Sequence, residues 1–115
     1  MATFTKVKLS GSTNGRGIAV AATATLGTTI HAAHATALDE IWLYAANIHS
    51  SAVTLTVEFG GVTVTSDLIQ QSIAATPSGL VLVCAGLLLT GSVNVTAFAG
   101  TANKIELFGF VNRIA

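Results

Sequence analysis

Residues 52–59, Ala-Val-Thr-Leu-Thr-Val-Glu-Phe, place Val53, Leu55, Val57 and Phe59 on one side of the chain and Thr54, Thr56 and Glu58 on the other. Alternation with period two marks a β-strand that has one apolar and one polar face. The preceding stretch, Glu40–Ile48, keeps this period but is apolar on both sides, with Ile41, Leu43 and Ala45 opposite Trp42, Tyr44 and Ala46. Such a strand sits at the centre of a sheet or beneath a partner. The short polar segment Asn47–Ser51 between the two predicts an antiparallel hairpin.

The same alternation returns at Ser92–Phe98 and Lys104–Asn112, joined by the loop Ala99–Asn103 with its Gly100. Further strand candidates are Thr3–Leu9, Gly17–Thr25, Val62–Thr65, Leu68–Ala74 and Leu80–Cys84, punctuated by Gly60-Gly61 and Thr76-Pro77-Ser78-Gly79. Ala19–Ala37 is rich enough in Ala for a helix, but Thr23, Thr25, Gly27, Thr28 and Thr29 oppose one, so it reads as strand, loop, strand. Val, Ile and Thr abound, whereas the good helix formers other than Ala and Leu are scarce. The expected fold is all-β: an antiparallel sandwich, jelly-roll-like, of eight or nine short strands. Its 115 residues fit one domain, 1–115, in which residues 1–16 form a candidate N-terminal arm and Ser10–Gly17 a loop or arm junction.

Composition narrows the function. Only 9% of residues are charged, while 51% are hydrophobic; an ordinary domain carries roughly 25% charged residues. Five basic and five acidic residues cancel, so no field draws nucleic acid or anionic lipid. The longest apolar stretch, Gly79–Leu89, is about half of the ~20 residues a spanning helix needs, and the N-terminus lacks an apolar signal core. Aromatic content of 6% is thin for a membrane barrel with aromatic girdles. Cys84, the single cysteine, lies in an apolar run and reads as a buried reduced thiol.

No constellation points to catalysis, and neither a cofactor nor a metal is expected. A metal would need three or four of His31, His34, Asp39, Glu40 and His49 to converge, and His31 and His34, three apart, face opposite ways on a strand and could share one only if the stretch turns or is helical. They read as loop histidines or as contacts to a neighbouring subunit. Asp39-Glu40 reads as an exposed strand entry, since adjacent carboxylates on a strand diverge. There is no Gly-x-Ser-x-Gly elbow, and Asn14-Gly15-Arg16-Gly17 lacks the Lys-Ser/Thr of a phosphate loop. Trp42 with Tyr44, and Phe108 with Phe110, are either core or subunit-interface residues or a ligand platform.

A small globule this poor in charge leaves apolar strands at its surface, and burying them in a homo-oligomer is the physical remedy. Roughly 800 Å² per protomer at ~25 cal/mol per Å² is on the order of 20 kcal/mol before the costs of association.

The segments Asp39–Asn47, Ala52–Gly61, Ala97–Asn103 and Phe108–Ile114 resemble small structural proteins of tailed bacteriophages, in particular capsid decoration, or cement, proteins. The resemblance covers about the last two thirds of the chain. It implies a β-rich protein without an active site, not an enzyme. It also implies a homotrimer seated on the outside of the virion capsid, stabilising the lattice of the major capsid protein after synthesis in the bacterial cytoplasm. Expected contact residues are Phe4, Lys6 and Lys8 on the arm, which would grip the capsid, and Trp42, Tyr44, Phe108 and Phe110 on the strands. The alternative is a tail-fibre or receptor-binding β module that offers Trp42 and Tyr44 to a host glycan.

Overall fold

The period-two segments form strands because their branched side chains pack well on a pleated surface and their apolar faces can meet across two layers. The computed structural model describes residues 2–115. In chain order its strands are β1 (Phe4–Lys8), β2 (Ile18–Ala19), β3 (Thr28–Ala32), β4 (Leu38–Asn47), β5 (Val53–Phe59), β6 (Leu68–Ile73), β7 (Val81–Leu89), β8 (Asn94–Ala99) and β9 (Ile105–Ile114). No helix occurs among the described residues. The strands form two antiparallel sheets, one ordered β1-β9-β4-β7 with β2 also on β9, the other β3-β8-β5-β6. The fold is an antiparallel β-sandwich.

Each early strand pairs with its counterpart from the second half of the chain: β5 with β6, β4 with β7, β3 with β8, β1 with β9. The chain is therefore one long hairpin, its tip at residues 60–67, rolled so that successive pairs fall alternately in the second and first sheets. Pairing of β4 with β9 and of β5 with β8 closes each sheet. β4 is flanked on both sides, as its two apolar faces predict. Its odd-numbered residues Ile41, Leu43 and Ala45 meet Leu55, Val57 and Val95 in the core, all without solvent exposure. Burying a side chain of this size contributes about 1.5–3 kcal/mol.

Several expectations change. Residues 62–65 are a turn, not a strand: Asp67 accepts from Thr63 N–H through Oδ2 (2.9 Å), and Thr63 O accepts the Asp67 N–H (2.9 Å). That polar closure, after Gly60 at φ +88°, uses up groups a ladder would need. Of residues 17–25 only Ile18–Ala19 forms a strand, with Val20 N–H donating to Ile105 O (2.9 Å) just beyond it, because Thr28 Oγ1 accepts the N–H groups of Ala21 and Ala22 and turns the chain. The Leu80–Cys84 candidate extends to Leu89, with Gly86 and Val83 as extra residues bulged against β4. Asp39 is no exposed strand entry. It shares the inward side of β4 with Ile41 and is fully buried. Within residues 1–16, Phe4–Lys8 lies along β9 as β1 and Leu9 is buried in the core, while Met1 falls outside the described residues.

Candidate functional site

The outward side of the first sheet collects the aromatic residues. Even-numbered residues of β4 and β9 share it: Trp42 lies opposite Phe110 and Tyr44 opposite Phe108, all half-buried. The Trp42 and Phe110 rings stack with centroids 6.0 Å apart and planes inclined by 10°. Lys6, on β1, sets its ammonium 4.8 Å from the Phe110 centroid, a cation–π contact. On the other flank the indole lies against Gly86 of β7, where a Cβ would come within 3.0 Å of it. Glu40 Oε1 accepts hydrogen bonds from Trp42 Nε1 (2.7 Å) and Asn112 Nδ2 (3.1 Å), which hold its carboxyl below the usual range.

The result is one row across four strands, Gly86–Trp42–Phe110–Lys6, in which every member leans on the next. Such a row is rigid, and Phe110 already has neighbours in Trp42 and Lys6. Phe108 packs against Gly17, where a Cβ would lie 2.7 Å from its ring. Beside it Thr13, Arg16, Gly17, Glu106 and Phe108 line an open depression of about 450 Å³. Of the expected contact residues, the structure therefore brings Lys6, Trp42, Tyr44, Phe108 and Phe110 onto one face. Lys8, opposite Phe110, and the exposed Phe4, opposite Ile114, complete its β1 margin.

A second cluster lies inside. Arg113 donates to Asp39 through Nε to Oδ1 (2.8 Å) and through Nη2 to Oδ2 (3.0 Å). Asp39 Oδ2 also accepts His31 Nε2–H (2.8 Å) and the His34 backbone N–H (3.2 Å). Burial would raise the Asp39 pKa; the bonds from Arg113, His31 and His34 and the guanidinium charge outweigh it and hold the carboxyl at about 2. His31 is buried because β3 bulges between Thr29 and His31, so that Ile30 and His31 both turn inward. The strand rule that separates His31 from His34 does not apply, since His34 lies beyond the end of β3.

A third cluster surrounds Glu58, which is fully buried on the outward side of the second sheet. Thr96 Oγ1 (2.6 Å) and the Gly27 N–H (2.8 Å) donate to its Oε1, and Thr25 Oγ1 (2.7 Å) donates to Oε2. Burial opposes ionisation here too, but the three donors prevail and the pKa is lowered. The loop over Thr25–Gly27 is thereby fastened onto the sheet. Sequence reasoning placed Glu58 on a polar face; nothing local signalled the loop that covers it.

Ser10, His31 and Asp39 are neighbours, yet they do not form a hydrolytic triad. His31 Nδ1 accepts the Ser10 backbone N–H (3.0 Å), which can only donate, so the ring has no lone pair left for a hydroxyl. Ser10 Oγ instead accepts the Ala32 N–H (2.7 Å). Among the described residues no group of three or more His, Cys, Asp or Glu is placed to hold a metal ion. The buried polar clusters fix loops, and the aromatic residues share one outward face. Compared with known proteins, the chain matches no family model, no curated sequence and no solved structure.

Proposed function

We propose that this protein is a decoration, or cement, protein that binds the outside of a tailed-bacteriophage capsid as a homo-oligomer, three copies being what the resemblance implies. The observation that carries the reading is the outward side of the first sheet: a rigid aromatic surface with Lys6 and Lys8 at its margin, on a chain with few charges elsewhere. The strand order supports a jelly roll, since rolling one long hairpin so that its pairs alternate between sheets gives two interlocked Greek keys.

The action is passive. Contacts to several copies of the major capsid protein exist only in the closed shell, so binding shifts the equilibrium toward that shell. Several modest contacts held in one oligomer attach firmly. No bond is made or broken, and the protein's place is the virion exterior.

The test is co-sedimentation with mature empty heads, followed by heating of decorated and bare particles. Saturable binding at hundreds of copies and a higher rupture temperature are expected. No binding, or identical rupture temperatures, would overturn the proposal; a few copies per particle would favour the tail-fibre alternative.

A further inference from the structure

The two open sides of the sandwich are finished differently. On the side of β1 and β3, residues 9–12 bridge the sheets. Gly11 N–H donates to Ile30 O (2.9 Å), Ser10 Oγ accepts Ala32 N–H (2.7 Å), and Ser10 N–H meets His31 (3.0 Å). There is no room at Gly11 for even a methyl group, which would come within 2.7 Å of the Ile30 oxygen. The edge strand β1 also carries Lys6 and Lys8, the residue type that keeps edges from pairing.

The side of β6 and β7 carries no lysine, and its one link between the sheets, residues 74–80, is fastened at a single end, where Asn47 N–H donates to Ser78 Oγ (2.9 Å) and Thr76 N–H to His49 O (2.9 Å). β6 pairs only with β5, and β7 only with β4. Asn47 ties β6 to the end of β4 by donating from Nδ2 to Ile73 O and Ala74 O (both 3.1 Å), so the two edge strands lie on the same side. From Leu68 to Asn103, a span containing both edges, there is no charged residue and no histidine. Leu80 and Leu87 are more than 40% exposed here, and so are Leu82 and Leu88, which by their register with Tyr44 and Glu40 stand on the outward side of the first sheet at its β7 margin. Edge strands without charge or covering segment are the arrangement that soluble monomers avoid.

We infer that the β6–β7 side is the surface through which copies of this chain associate. A second copy is the occupant for two reasons. The surface carries no charge with which to select a charged partner, and two such surfaces meet without burying an unpaired ion. Its size also suffices. At ~3.3 Å per residue, β7 is about 30 Å long, and two layers ~10 Å apart with their side chains are about 20 Å deep, giving roughly 600 Å² per protomer. Two copies together bury about 1,200 Å², the lower bound of specific stable interfaces. The bulges at Val83 and Gly86 interrupt the outer ladder of β7, so the contact is made by leucine side chains and not by strand addition.

This inference rests on the homo-oligomeric half of the proposed function, of which it assigns the surface and not the copy number, and is independent of the capsid half. The experiment compares wild type, Leu82→Lys/Leu88→Lys and Lys6→Glu by sedimentation velocity across about 1–100 µM. Both leucines are already half-exposed, and circular dichroism confirms that each variant is folded. Wild type and Lys6→Glu should form the same discrete oligomer, with the double variant at least about 100-fold weaker in self-association. If the double variant unfolds, amide exchange in wild-type β7 decides: protection that rises with protein concentration supports the inference. A monomeric wild type, a double variant that assembles like wild type, or concentration-independent exchange in β7 would overturn it. An oligomer that assembles through this surface but ignores capsids would remove the capsid reading alone.

Discussion

Replacing Asp39 with Asn tests the polar centre of the sandwich directly. The side chain is fully buried, and its two oxygens accept from Arg113 twice, from His31 and from the His34 backbone. An amide cannot reproduce this. If its NH₂ takes the place of Oδ2 it faces three donors; if it takes the place of Oδ1 it faces Arg113 Nε. Lowering the carboxyl pKa from 3.8 to about 2 corresponds to about 2 kcal/mol of stability carried by the ionised form. Leaving a buried partner unpaired adds to this, although the Arg113 side chain keeps 27% of its exposure and part of its hydration. The expected loss at pH 7 is therefore about 3 kcal/mol.

Urea unfolding at fixed protomer concentration measures it, and a midpoint shift of about 1–2 M is expected. The pH dependence follows from the sign of the shift. A lowered native pKa means that the contribution is complete above the unfolded value near 4 and disappears as pH falls through about 2. The gap between wild type and variant should thus hold steady down to about pH 4 and close below it. Arg113→Met and the double variant complete a cycle whose coupling should exceed about 1 kcal/mol. A loss under about 1 kcal/mol at pH 7, or a gap indifferent to pH between 4 and 2, would refute an ionised, paired Asp39.

Two further outcomes follow from packing. Gly109→Ala should lower the melting temperature by more than about 10 °C, because its Cβ would collide with the Trp42 carbonyl oxygen where β9 passes β4. Cys84, buried and donating to Ile41 O (3.2 Å), has its thiol pKa pushed up by burial. It should resist alkylation in the native protein and react at once in denaturant, as read by mass spectrometry.

Much of the architecture was legible where one face of a strand is apolar. Val53, Leu55 and Val57 alternate because alternate residues face the core, and β4 is apolar twice over because it is central in its sheet and carries the aromatic row outside. What the pattern could not supply is pairing at a distance. Thr56 and Glu58 read as a solvent face, yet the loop 21–27, more than thirty positions away, lies over that part of the sheet. Asp39 read as an exposed charge for the same reason: its partner Arg113 is 74 positions along the chain. His31 was hidden by the β3 bulge, since alternation fails wherever a residue is inserted. The aromatic face was visible as Trp42, Tyr44, Phe108 and Phe110, but not the order in which Gly86 and Lys6 enclose its stack.

The few charges are spent unevenly, and the unevenness separates folding from assembly. Asp39 and Glu58 are buried, and each fastens a loop of the first half of the chain, one around His31 and His34, the other at Thr25–Gly27. Lys6 and Glu40 brace the aromatic row. The returning half of the hairpin, from β6 through β8, receives none. A chain that fixes its loops with buried carboxylates keeps its shape as a protomer, so its charge-free edge need not fold on contact. Association of such preformed surfaces loses little conformational entropy, which would let the proposed β6–β7 interface hold near the lower bound of area. A change at Asp39 should therefore alter how much native protomer is present, whereas on the proposed interface a change at Leu88 should alter how firmly native protomers associate.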